Sequence, residues 1–173
     1  MLWKKKNIKC PICGIVHQEL PAFGFPFPYY YNILSEQDKQ ELAEINDDFC
    51  IINHPEQVDR FIRTNLRIQI NDACEDLDYG IWVSLSEKSF NDYKSEFKDN
   101  IGGKLYFGMI SNEIEDYNES TLGLHVNVVT KSNGIRPEII PHQADHQLIK
   151  EWEHGLTIQE ARQRIEKLIK SVG

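Results

Sequence analysis

Between Leu20 and Tyr31 the chain carries Pro21, Phe23, Phe25, Pro26, Phe27, Pro28, Tyr29, Tyr30 and Tyr31. Prolines at 21, 26 and 28 fix φ and remove amide donors, so neither a helix nor a central strand is expected through the whole segment. So many rings are costly to leave in water. The segment is expected to wrap across a core as an extended arm, in preference to forming an exposed aromatic binding patch.

The rest of the chain is large enough to supply that core. It has 173 residues, room for one domain with a proper interior and too few for two. With 40% hydrophobic and 27% charged residues, wholesale disorder is excluded. A single domain over 1–173 is expected, with the metal knuckle and arm in 1–31 and an α+β body in 32–173. No apolar run approaches the ~20 residues that cross a bilayer. Met1-Leu2-Trp3-Lys4-Lys5-Lys6 is not followed by the apolar stretch of a secretory signal, so a cytoplasmic protein is expected.

The net charge of -8 and pI near 5.2 repel a polyanion, which argues against nucleic acid as a partner. The local cluster Lys4, Lys5, Lys6 and Lys9 reads as a solvated terminus. An acidic surface instead suits a basic protein partner.

Periodicity places the elements. Ser35 opens a helix with Asp38 in a capping-box position, and Leu42 and Ile45 form its apolar stripe. Phe49 to Asn53 reads as a strand. In Phe61 to Ile70, Leu66, Ile68 and Ile70 alternate with Arg67 and Gln69, the pattern of a sheet with one wet face. Tyr79 to Leu85 is more apolar and reads as more deeply buried. Ser86 caps a helix carrying Phe90, Tyr93 and Phe97. Strands follow at Leu105 to Ile110 and Leu122 to Thr130, and a turn at Ser132-Asn133-Gly134 leads to Arg136 to Ile140. Two helices end the chain. One covers Asp145 to His154. The other starts at Thr157 with Glu160 completing a capping box, and buries Ala161, Ile165, Leu168, Ile169 and Val172. Clustered strands with helices at intervals predict an α+β fold, a mostly antiparallel sheet with helices packed on one face.

Cys10-Pro11-Ile12-Cys13-Gly14 is the strongest chemical signal. Two thiolates three residues apart reach one ion from a tight turn. Zn²⁺ takes four such soft or borderline ligands. His17 lies close enough to be the third and Cys50 is the candidate fourth. Four protein ligands make a structural zinc, whereas an open position binds water and supports hydrolysis. Buried thiols without metal, and a redox dithiol, are the alternatives. The redox motif requires a strand before it and a helix after, whereas here Pro21 and the arm follow.

His142-Gln143-Ala144-Asp145-His146 approaches the inverted zinc-protease pattern, which needs a helix over 142–146. The plainer reading makes Asp145 the cap of the next helix and lets His146 pack locally. Glu113, Glu115, Asp116 and Glu119 read as a solvated acidic loop. No Ser-His-Asp set, phosphate-binding glycine loop or dinucleotide fingerprint is present.

Several segments together resemble a bacterial family known as domain of unknown function 2199. They are Cys10 to Gly14 with His17, Leu20-Pro21, Asp48 to Ile52, Phe61-Ile62-Arg63, Gly80 to Glu87 with Phe90, Arg136-Pro137 and Asp145-His146. The chain departs from that pattern at Gln69 and Gln147, where prolines are expected, and at His142, where the pattern is acidic. The resemblance implies a shared fold and a shared metal site at Cys10, Cys13, His17 and Cys50, but no activity. From size, charge and knuckle, the expected function is a non-catalytic protein with structural zinc that binds a macromolecule, as an immunity protein neutralises a toxin. The alternative is a zinc-dependent hydrolase.

Overall fold

The computed structural model describes residues 7–9, 16–18, 20–99 and 101–172, with the backbone alone at 7–9, 16–18, 168, 169, 171 and 172. The expected burial of Leu168, Ile169 and Val172 therefore lies outside the described side chains. β1 (Asn7–Lys9) and β2 (Val16–Gln18) pair antiparallel as a separate ribbon. The body follows as β3 (Phe23–Gly24), α1 (Tyr29–Asn32), α2 (Glu36–Leu42), β4 (Ala43–Ile45), β5 (Phe49–Asn53), β6 (Val58–Gln69), β7 (Asp76–Leu85) and α3 (Glu87–Glu96). After these come β8 (Leu105–Ile110), β9 (His125–Val129), β10 (Glu138–Pro141), α4 (Gln147–His154) and α5 (Ile158–Val172).

The fold is mixed α+β, and its eight-stranded sheet runs β3-β7-β8-β9-β10-β6-β5-β4. Because β6 also pairs with β7, strands β6 to β10 close on themselves as a five-stranded barrel. Closure depends on a parallel contact, Glu138 of β10 against Asn65 of β6. The other parallel pair is β3 with β7; the remaining pairings in the sheet are antiparallel.

The expectation that helices pack on one face is corrected. β6 and β7 carry adjacent buried residues, Phe61 with Ile62 and Ile81, Trp82 with Val83, so both faces of this hairpin need cover. The inward side joins Ile62, Leu66, Ile81, Val83, Val126 and Val128 to Phe90, Tyr93, Leu148, Ile149, Ala161 and Ile165 from α3, α4 and α5. On the opposite side Cys50, Ile52, Phe61 and Trp82 form a second cluster. It is covered by Phe25, Tyr31, Leu34 and Leu42 from the arm, α1 and α2.

The proline-rich arm is bound in place rather than merely laid down. Phe25 N–H donates to Gly80 O at 2.9 Å, Trp82 Nε1 to Phe25 O at 3.0 Å, Asn112 Nδ2 to Phe27 O at 2.9 Å and Tyr29 N–H to Ser111 O at 2.8 Å. Between Pro21 and Pro26 it finds room for the two residues of β3, and Pro28 is the N-cap of the one-turn α1. Gly24 faces Gly80 across the parallel pair, and an added Cβ on Gly80 would meet Phe23 O at 3.6 Å.

Candidate functional site

Cys10 and Cys13, and the side chain of His17, lie outside the described residues. What the backbone gives is their frame: Lys9 pairs with Val16 and Ile8 with His17, so the two strands of the ribbon bracket residues 10–15. Cys50 lies on β5 between Ile45 of β4 and Phe61 of β6, and it is fully buried. Burial, and then the charge of Asp59, push its thiol up to about 12. An apolar pocket of Ile52, Phe61 and Trp82 stabilises the neutral thiol and opposes the thiolate.

The remaining cysteine of the chain is Cys74. It is half-buried in the turn between β6 and β7, next to Glu75. Glu75 Oε2 accepts from Leu20 N–H at 2.9 Å, three residues beyond His17. That hydrogen bond ties the exit of the ribbon to the Cys74 turn. Among the described residues, no group of three or more His, Cys, Asp and Glu side chains is placed to hold a metal ion.

The pattern His142 to His146 does not assemble as a metal pair. His142 follows β10, and its Nε2 lies 2.9 Å from Asn127 Oδ1. His146, not Asp145, caps α4: its Nδ1 accepts from Leu148 N–H at 3.0 Å. Asp145 reaches outward to Lys150 at 2.7 Å. The helix begins too late for both imidazoles to share a face.

The acidic loop is partly structural. Glu113 accepts from Thr121 N–H, and Asp116 accepts from the Tyr79 hydroxyl at 3.2 Å. Tyr79 in turn accepts from Arg164, which holds Glu151 and Tyr117, so this polar cluster closes on itself. It knits elements together and leaves no poised acid or base.

The outer face of the barrel is different. Leu105, Phe107 and Met109 of β8 point outward at 63%, 51% and 39% exposure. In register beside them stand Val129, Asn127 and His125 of β9, and beyond these Glu138 and Ile140 of β10. Phe107 lies against the rings of both His125 and His142, with centroids 5.1 and 5.7 Å away. The inward set of β8, Tyr106, Gly108 and Ile110, is buried, so this strand is apolar on both sides. That doubled pattern was readable in Leu105 to Ile110 and marks a face that no other element covers among the described residues.

No curated protein and no solved structure matches the chain. A family model described as an uncharacterised protein conserved in bacteria, DUF2199, does match it, over residues 9–156. The match takes in the second half of the ribbon, the arm, the whole barrel and α4. This chain belongs to that bacterial family.

Proposed function

We propose that the chain is a non-catalytic binding protein whose open β8–β9–β10 face receives a basic protein partner. A structural zinc ion at Cys10, Cys13 and His17 braces its amino-terminal ribbon. One observation carries the binding role: Leu105, Phe107 and Met109 of β8 are apolar and exposed on one face, with Ile140 exposed on the same face two strands away. A net charge of -8 favours encounter with a cationic surface. In a bacterial chain of this size, tight one-to-one neutralisation of a basic toxin is the specific role we assign.

The zinc reading is supported by donor chemistry, two thiols and an imidazole within eight residues. The sequence expectation for the fourth ligand is Cys50. Cys74 competes better, because its turn is tied to the ribbon exit through Glu75 and Leu20 while Cys50 is sealed among apolar side chains. Metal analysis of purified protein should find one zinc per chain, lost in Cys10→Ser, Cys13→Ser and Cys74→Ser and kept in Cys50→Ala. Loss in Cys50→Ala alone would return the fourth position to Cys50.

The binding role is tested with a photo-crosslinking residue placed at Phe107 in the source cells. A single basic protein captured from position 107, and not from Arg162 on α5, supports it. No adduct, or equal capture from both positions, refutes it, and a zinc-dependent hydrolytic activity would replace it.

A further inference from the structure

We propose that Arg63, which lies over the Trp82 ring and meets Arg136 at Asp48, is a binding site for a carboxylate group. The residues come from separate stretches of chain. Arg63 sits on β6 in register with Trp82 on β7, its guanidinium 5.9 Å from the indole ring. Asp48, just before β5, gives its backbone carbonyl to Arg63 N–H at 2.9 Å. The Asp48 carboxylate turns instead to Arg136, which holds Oδ1 through Nε at 2.8 Å and reaches Asp47 O with Nη2 at 3.3 Å.

Among the described residues, Arg63 is thus left with its fork unengaged beside a completed ion pair. Its Nε is fully buried and has no hydrogen-bond partner among them. Buried donors in folded proteins are nearly always satisfied, and one left alone costs a desolvation penalty with nothing to offset it. Among the described residues the one other buried side-chain polar atom in this condition is the Tyr93 hydroxyl, on which Asp48 and Arg136 also act. Burial, and then the like charge of Arg136, hold the Arg63 guanidinium below its ordinary value. An anion between the two arginines relieves both effects. Gly24 borders Arg63 Nη2, where a Cβ would stand 3.6 Å from it, so a longer side chain at that position would crowd the fork.

Charge and shape select the anion. Arg63 and Arg136 are balanced by Asp47 and Asp48, so the site is close to neutral before a ligand arrives. A singly charged, planar carboxylate matches the in-plane guanidinium fork, and the aspartates oppose a dianionic phosphate. This site is independent of the zinc and of the open sheet face.

The probe is acetate, set against phosphate and chloride at constant ionic strength, read from the ¹⁵N–¹H resonance of Arg63 Nε. A saturable shift with acetate, much weaker with phosphate and absent with chloride, is expected. Arg164, whose fork is filled by Glu151, serves as the internal control and stays unmoved. Arg63→Lys keeps the charge, removes the fork and should abolish the response, with Trp82 fluorescence reporting that the fold persists. Should that variant not fold, the contrast between Arg63 and Arg164 in the natural chain decides alone. A phosphate response equal to acetate, a shift shared by Arg164, or a protected Nε–H silent to both anions (a buried water as its partner) overturns the proposal.

Discussion

Arg164 Nη2 lies 2.8 Å from both carboxylate oxygens of Glu151, and both side chains are largely withdrawn from solvent, at 15% and 11% exposure. The pair locks α5 to α4. Glu151 is further satisfied by the Tyr117 hydroxyl at 2.8 Å and by Gln147, and Arg164 by Tyr79 and Tyr117. A buried ion pair is weak evidence of net stability, since desolvation offsets much of the attraction. Breaking one side of it is another matter.

Glu151→Gln leaves Arg164 charged and half-sheltered without its counter-ion. The expected loss is about 3 kcal/mol of unfolding free energy, a fall in Tm of roughly 10 °C for a chain of this size. Replacing both residues, as Glu151→Met with Arg164→Met, should recover most of that loss, because neither charge is then stranded. Chemical denaturation of the single and double variants measures both. A double variant as unstable as the single one rejects the locking account.

Cys50 makes a prediction about alkali. Its folded thiol titrates near 12, against an ordinary value of 9.0. Above pH 9 the unfolded chain loses this proton while the folded chain keeps it, so folding is progressively disfavoured. The contribution is fully present below pH 9 and lost as pH climbs toward 12. Tyr79, Tyr93 and Tyr117 are also pushed up by burial and add to the same alkaline decline. Cys50→Ala should therefore be less stable than the natural chain at pH 8, yet show a shallower decline in urea midpoint from pH 9 to 11. Parallel slopes would place the thiol in water.

The two helices with the clearest caps show what could be read from sequence. Ser35 and Ser86 accept from Asp38 and Ser89 N–H as expected, because each cap is decided by residues three apart. Barrel closure could not be read that way. The parallel contact of Glu138 with Asn65 joins distant stretches, and nothing local in Glu138 to Pro141 announces its partner. His146 was missed as a cap because imidazole is an uncommon acceptor there, and Asp145 beside it looked better suited. Arg63 was hidden by its neighbours: Arg67 two turns of the pleat along is exposed and paired with Asp78, as a wet-face residue should be, and Arg63 follows the same alternation. Only the placement of Trp82 beneath it separates the two.

Gly108 tests the barrel wall. A Cβ on this β8 residue would collide with Val83 Cγ1 and sit 2.9 Å from Ser84 O, the backbone of the adjoining strand. Val83 is fully buried in the packed core and the carbonyl is held in the ladder, so neither gives way freely. Gly108→Ala should cost about 1–3 kcal/mol by overpacking, against the usual gain in strand propensity. Gly123→Ala, with open space around its Cβ but a φ of 77°, should also destabilise, through backbone strain rather than contact. The two separate by rescue: Val83→Ala restores part of the Gly108→Ala loss and none of the Gly123→Ala loss.

Phe107 offers the sharpest separation of stability from binding. It is half-exposed on the barrel's outer face, touching His125 and His142. Phe107→Asp should cost about 1 kcal/mol, from lost strand propensity and lost contact with the two imidazoles. Its effect on a partner should be far larger, because an apolar anchor at the centre of a face contributes much of an interface's binding energy and a carboxylate cannot be desolvated there. The variant is therefore expected to stay folded, with Tm lower by about 2–4 °C, and to lose the crosslinked adduct, here read from a probe at Leu105. For the basic partner proposed above the comparison is stricter, since added negative charge alone should speed encounter rather than prevent it. If Phe107→Asp binds as well as or better than the natural chain, attraction is purely electrostatic and the apolar face is not the docking surface.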